Sequence, residues 1–182
     1  MEQITVYRRE GAVKAKQLRR QGVIPCVIYG GALDSSIHAQ MDKETVKQML
    51  RGKREGSAVE LVCGDRTVHA LIKTIERSVV GGEVIHISFQ AMQADRRVNG
   101  RAQIVLLGRD KVPGILEQSR FDINYSSLPA DIFDTVTIDL EGLPVGASLT
   151  VGDIPQLRSE RIELLTPADS VVFKIADKTR RN

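Results

Sequence analysis

Ile4 and Val6 alternate with polar neighbours and lead into Tyr7; this period of two is the pattern of a strand with one buried face. A stretch without apolar repeats follows, in which Val13 to Arg20 can form a helical turn ended by Gly22. Pro25 then opens a run of strand length, Cys26-Val27-Ile28-Tyr29, stopped by Gly30-Gly31, which predicts a core strand. Ser36 to Met41 alternates again. Asp42 suits the N-cap of a helix over Lys43 to Arg51, with its carboxylate accepting from free first-turn amides; Val46, Met49 and Leu50 give that helix one apolar face, and Gly52 suits its end. Ala58 to Cys63 and Thr67 to Ile75 flank Gly64-Asp65 as a β-hairpin, with Val59, Leu61 and Cys63 on one face. After Gly81-Gly82, the apolar Val84, Ile85, Ile87 and Phe89 are interrupted by His86 and Ser88, which share the opposite face of a strand. Several short strands with one helix predict a closed or nearly closed antiparallel β-barrel, an arrangement that removes exposed sheet edges.

The pattern breaks between Ala91 and Val98, and we place a domain boundary there, giving domains 1–93 and 94–182. Beyond it, Ile104-Val105-Leu106-Leu107, Phe121-Ile123-Tyr125, Val136-Ile138-Leu140 and Val171-Val172-Phe173-Ile175 are separated by Gly, Pro, Asp and Ser, which predicts a second, all-β domain, a small sandwich or roll. Asp153-Ile154-Pro155 predicts a short turn. The whole chain is therefore expected to be mainly β with few helices.

Composition sharpens this without changing it. Of 182 residues, 42% are hydrophobic and 27% charged, as in a globular protein. Apolar runs fall far short of the roughly 20 residues needed to cross a membrane, and the first residues do not read as a secretory signal, so a cytoplasmic protein is expected. In that setting Cys26 and Cys63 are expected to be free thiols. The net charge of +3 comes from the N-terminal half. The second half is balanced, with basic residues crowding its end (Lys174, Lys178, Arg180, Arg181), while Asp122, Asp131, Asp134, Asp139 and Glu141 predict an acidic surface that repels phosphate.

The concentration of charge is at Arg8 to Gly31, where Arg8, Arg9, Lys14, Lys16, Arg19 and Arg20 face a single acid, Glu10. Cations held on a loop with little apolar content can neutralise phosphates and release their counterions; the same cluster also fits a solvated surface loop. Other chemistry is hard to assemble. His38, His69 and His86 with Cys26 or Cys63 match no compact zinc motif, so no metal and no cofactor is expected. Gly81-Gly82 lacks the remainder of a nucleotide loop, and neither Ser148 nor Ser170 has a nucleophile's setting. No enzyme activity and no small-molecule substrate are expected.

The segment Ile24-Pro25-Cys26-Val27-Ile28-Tyr29-Gly30-Gly31, preceded by the Arg-rich run, resembles the signature of the bacterial large-subunit ribosomal protein twenty-five family, whose longer members include the general stress protein Ctc. Glu83 to Phe89 resembles the family's His-Val-Asp-Phe strand, and Gly114 to Glu117 with Leu143 to Leu149 resembles the second domain of the long form, so the likeness spans nearly the whole chain. The resemblance implies that the barrel grips the loop E region of 5S ribosomal RNA in the large subunit. Arg8 or Arg9, Lys14, Lys16 and Arg19 would meet phosphates with Arg20 nearby, Tyr29 would support the surface through its ring and phenol, and Lys73, Arg77, His86 and Ser88 would complete the face. It further implies that the second domain projects from that site towards other subunit components. Three positions depart from the family pattern: Ser88 stands where Asp is usual, Glu76 where Gln is frequent, and Ala15 where Ser is common. These departures leave a rival expectation, a non-ribosomal, stress-related interaction scaffold that keeps the barrel without specific RNA binding.

Overall fold

The computed structural model describes residues 3–178 apart from 10, 12 and 32, so Glu10, Arg180 and Arg181 lie outside the described residues. The chain divides into two compact units, residues 1–98 and 99–182.

The first unit runs β1 (Gln3–Thr5), β2 (Tyr7–Arg8), α1 (Ala15–Arg20), β3 (Val23–Tyr29), β4 (Ile37–Asp42), α2 (Lys43–Gly52), β5 (Ala58–Cys63), β6 (Arg66–Arg77) and β7 (Val84–Ala91). All seven strands form one sheet in the order β1, β5, β6, β7, β3, β4, β2. Its two edges belong to one stretch of chain: β1 pairs with β5 and β2 pairs with β4, with Val6 alone between them. The Val6 amide donates to the Val62 carbonyl at 2.8 Å, so the stretch carries on along β5 while it turns to β4. The sheet is thereby nearly closed as a barrel. It is mixed, where an entirely antiparallel one was expected. β1 lies parallel to β5 and β3 parallel to β7, while the other four pairings are antiparallel. A parallel pair needs a long crossover, and residues 30–83 supply one between β3 and β7.

Ile28, Met41, Leu61, Ile72, Ile87 and Phe89 fill the barrel and are fully buried. Val46 and Met49 of α2 join the same core, as the spacing of its apolar face predicts. Asp42 occupies the N-cap of α2, but its side chain makes no capping hydrogen bond. The amide of Lys43 is instead satisfied by the Gly22 carbonyl at 2.8 Å, because Asp42 is still held in β4 opposite Val23. That bond also places the ends of α1 and α2 at the same end of the barrel.

The second unit contains β8 (Val98–Leu107), β9 (Ile115–Gln118), β10 (Asp122–Ser127), β11 (Thr135–Asp139), β12 (Ser148–Thr150), β13 (Glu163–Leu164) and β14 (Val171–Ala176). One sheet has the order β11, β8, β10, β13, and the other β12, β14, β9. Both contribute to one core, with Ile104, Ile123 and Val136 from the first and Val172, Phe173 and Ile175 from the second. Strict alternation of buried and exposed residues along most of β8 is what one buried face demands. Phe121, expected in a strand, precedes β10 and is 60% exposed. The turn expected at Asp153 to Pro155 is two short 3₁₀ turns, Val151–Asp153 and Pro155–Leu157. Tyr125 stacks on Phe133 at 4.2 Å between ring centroids; its hydroxyl donates to the Phe133 carbonyl and accepts from the Phe133 amide. Burial pushes that phenol up to about 12, so it stays a donor.

Candidate nucleic-acid interface

The alternation that buries Ile87, Phe89 and Ala91 of β7 turns His86, Ser88 and Gln90 to the other face. Neighbouring strands continue that face in register. Ser88 lies opposite Thr74 of β6 on one side and Val27 of β3 on the other, and Val27 lies opposite His38 of β4. Next along, Gln90 lies opposite Tyr29, whose ring is half-buried. His86, Ser88 and Tyr29 are therefore brought onto one surface. Thr74 and Gln90 share it and escaped the sequence reading. Gln90 was accessible to the same two-residue rule that paired His86 with Ser88, whereas Thr74 was hidden by a bulge.

Two β-bulges shape this surface. On β6, Ile72 pairs with Phe89 and Thr74 with Ser88, which leaves Lys73 as an extra residue. Both Lys73 and Thr74 are exposed, and the positions packed in the barrel core shift from the even numbers 68, 70 and 72 to the odd, partly buried Ile75. A bulge is the ordinary way to re-aim side chains along a strand, and here it delivers Lys73 beside the Ser88 row. The second bulge lies on β7, where Glu76 pairs with His86 and Arg77 with Val84, leaving Ile85 without an opposite residue. The Ile85 carbonyl accepts from Arg19 Nη1 at 3.3 Å. This bond ties α1 to the strand that carries His86.

The basic residues divide between two places. Lys16, Arg19 and Arg20 lie on α1, which packs against β3, with Lys14 at its N-cap. All four are exposed, and Leu18 is the buried residue of that helix. Arg8 ends β2, and the adjoining Arg9 is half-buried, its Nη2 donating to the Val13 carbonyl at 2.6 Å. Arg77 stands apart from the Ser88 face: its Nη1 donates to the Gly82 carbonyl at 3.2 Å, and the side chain lines a cavity with Lys43, Lys47 and Glu83 beside α2. The first bulge accounts for this: it puts Thr74 and Glu76 on the Ser88 face, so ordinary alternation turns Arg77 the other way, with Ile75.

Electrostatically the face is not purely basic. Glu76 Oε1 lies 3.5 Å from His86 Nδ1, but that ring nitrogen is buried with no hydrogen-bond partner among the described residues, so this is a close approach without a formed hydrogen bond. The Lys43–Glu83 pair at 2.7 Å holds the Glu83 carboxyl below its ordinary value. Cys26 and Cys63 are free thiols; burial, reinforced by Cys63, pushes Cys26 up to about 12, which keeps the Cys26 sulfur a thiol. Among the described residues no three His, Cys, Asp or Glu side chains converge as metal ligands do, and no helix is long and apolar enough to cross a membrane. What the surface offers is hydroxyl and amide groups, one half-buried aromatic ring and flanking cations.

Comparison with known proteins covers both units. Residues 4–89 match the Ribosomal L25p family, and residues 98–179 match the family described as Ribosomal protein TL5, C-terminal domain. The large ribosomal subunit protein bL25 of Dictyoglomus thermophilum is 30% identical over 174 residues, covering 91% of this chain and 83% of that protein. Its namesake in Geobacillus thermodenitrificans is 30% identical over 142 residues, covering 76% and 67%. In Moorella thermoacetica the identity is 27% over 180 residues, covering 95% and 85%.

Proposed function

The chain belongs to the ribosomal L25p family as a long-form bacterial bL25 with a TL5-type C-terminal domain, and from that premise we propose that its barrel binds 5S ribosomal RNA at the loop E region within the large subunit. Members of the family are structural proteins of the ribosome and not enzymes. The observation that carries the RNA reading is the joining of α1 to β7: the hydrogen bond from Arg19 to Ile85 sets exposed cations beside the row formed by His86, Ser88 and Gln90. Double-helical RNA presents 2′-hydroxyls and base edges in a shallow minor groove, bordered by phosphates. Ser88, Thr74 and Gln90 can donate to and accept from such groups, while Lys14, Lys16, Arg20 and Lys73 meet phosphates. Ser88 supplies a hydroxyl where the family commonly supplies a carboxylate, so the contact there is a neutral hydrogen bond. The cytoplasm, where ribosomes work, is the compartment this reading gives.

The rival reading, an interaction scaffold used under stress without specific RNA binding, draws on Glu76, whose carboxylate sits on the same face beside His86 and repels phosphate. Affinity for bacterial 5S rRNA across a salt series, with an unrelated duplex as control, separates the two. Selective binding that weakens with salt is expected, and Ser88→Val should cost roughly 1 kcal/mol, the worth of one hydrogen bond. Equal, weak binding to both RNAs would instead favour the scaffold.

A further inference from the structure

The sequence groups Arg8 and Arg9 with the cations that follow them, and the strand directions show how far round the barrel that group extends. β2, β3, β5 and β7 all run the same way round the barrel. Their C-terminal ends therefore define one rim, at which Arg8 and the β5–β6 turn lie. Arg19 reaches the start of β7, at the opposite rim. By register Arg8 is level with Cys26 and Ile87, so about 7 Å along the strands and about 14 Å across three strand spacings separate it from Ile85. Arg9, whose side chain donates to the Val13 carbonyl next to Lys14, bridges the interval, so Arg8 to Arg20 is one basic surface running from α1 to the β5–β6 rim.

The end of that surface at the β5–β6 rim lines a groove of about 790 Å³, within the ~300–1,000 Å³ of ordinary ligand clefts. Arg8, Arg9, Arg66 and His38 line it, with Asp34 as the one carboxylate among the described residues of the lining. Among the described residues, neither Arg8 nor Arg66 makes an ion pair. Tyr7 stands 54% exposed in the same groove. Guanidinium groups suit phosphate oxygens through their planar fork of donors, and an exposed aromatic ring beside them is a platform for an unstacked base. A protein partner of acidic character would meet the cations but has no equal use for the ring.

We propose that this groove continues the RNA-contacting surface, with Arg66 beside Arg8 holding backbone phosphates of a strand and Tyr7 stacking on one of its unpaired bases. The proposal rests on the reading of the barrel as an RNA binder, and extends that contact from α1 to the β5–β6 turn. Binding of 5S rRNA by the full chain is measured over a salt series for the wild type, Arg66→Ala, Arg66→Lys, Tyr7→Ala and, as the reference for the α1 contacts, Lys16→Ala. Arg66→Ala should lower the slope of log affinity against log salt by roughly 0.7 to 0.9, the share of one phosphate contact, and Arg66→Lys should restore it. Tyr7→Ala should weaken binding roughly tenfold with the slope unchanged. If Lys16→Ala lowers the slope while Arg66→Ala and Tyr7→Ala match the wild type, the groove proposal falls and the functional reading stands. If the wild type fails to prefer 5S rRNA over an unrelated duplex, the functional reading falls and takes the proposal with it. Titration with inorganic tripolyphosphate, followed through backbone amide shifts at residues 34–38 and 64–67, supplies the remaining arm. Arg66-dependent saturation there, with the RNA slope unaltered, would mean a free-anion site and overturn the RNA assignment; the same holds if a poly-glutamate peptide alone saturates those shifts.

Discussion

The two units treat charge in opposite ways. In the second, acids meet cations: Arg101 with Asp122 at 2.6 Å, Lys111 with Glu141 at 2.8 Å, Arg161 with Asp131 at 3.4 Å and Arg158 with Asp153 at 3.6 Å. The acidic surface expected there is thus largely neutralised side chain by side chain, and each exposed pair adds only about 0–1 kcal/mol to stability. In the first unit, Arg8, Lys14, Lys16, Arg20 and Lys73 have no ion-pair partner among the described residues. Cations left without partners keep their full attraction for an external polyanion, and the same number of cations spent on neighbouring carboxylates would not.

The comparison can be tested first at the cores. Phe89→Ala should destabilise the barrel, and Phe173→Ala the second unit, by about 3–5 kcal/mol each, since both rings are buried at 1% exposure or less. Calorimetry should show each variant lowering a different transition, whereas one transition moved equally by both would mean that the units melt together. A smaller effect is expected at Gly100, where an added Cβ would sit 2.7 Å from the Tyr125 ring. Gly100→Ala should cost about 1–3 kcal/mol from overcrowding, visible as a lower denaturation midpoint for the second unit with RNA affinity unaltered. Removing Lys14, Lys16 and Arg20 together should reduce the salt slope of RNA binding by roughly 2 to 3; the matched triple change of Arg101, Lys111 and Arg161 to Ala should leave it in place. If both triples reduced it alike, local pairing would not distinguish the units.

The smallest expected effect concerns acid stability. Thr150 donates to Asp153 from its hydroxyl at 2.7 Å and from its amide at 3.1 Å, and these bonds hold the Asp153 carboxyl below its ordinary value of 3.8. A depressed folded-state value gives stabilisation that is present above the unfolded value and is lost as pH falls through the folded one. Thermal melting below pH 4 should therefore show a slightly shallower acid-side fall for Asp153→Asn than for the wild type. Identical pH profiles would remove Asp153 from this role.

Much of the barrel was legible because its strands alternate cleanly and its turns carry glycine. Val59 and Leu61 face inward as their spacing requires, Gly64 turns the hairpin with φ of 60°, and Val46 and Met49 mark the inner face of α2. Pairing direction was not legible, because a strand's pattern is the same beside a parallel or an antiparallel neighbour; hence the β3–β7 pairing came as a correction. The bulges at Lys73 and Ile85 were equally hidden, since an extra residue changes which face follows it without changing composition. Their consequences include the exposure of Thr74 beside Lys73, the Ile85 carbonyl that accepts from Arg19, and the placing of Arg77 beside α2. In the second unit, β12 and β13 have three and two residues, too few for any period to show.

The joint at Val6 governs the order in which this molecule can be assembled. Residues 3–8 precede their partners, β5 and β4, along the chain, and β5 ends only at Cys63. Loop-closure entropy must be met before such distant pairs form, so the opening segment waits, exposed and cationic, until the chain has grown past the first hairpin strand. Arg8 and Arg9 acquire fixed positions only when that seam is closed. A nascent chain that has not yet reached Cys63 carries the charges of the proposed binding surface but not its spacing.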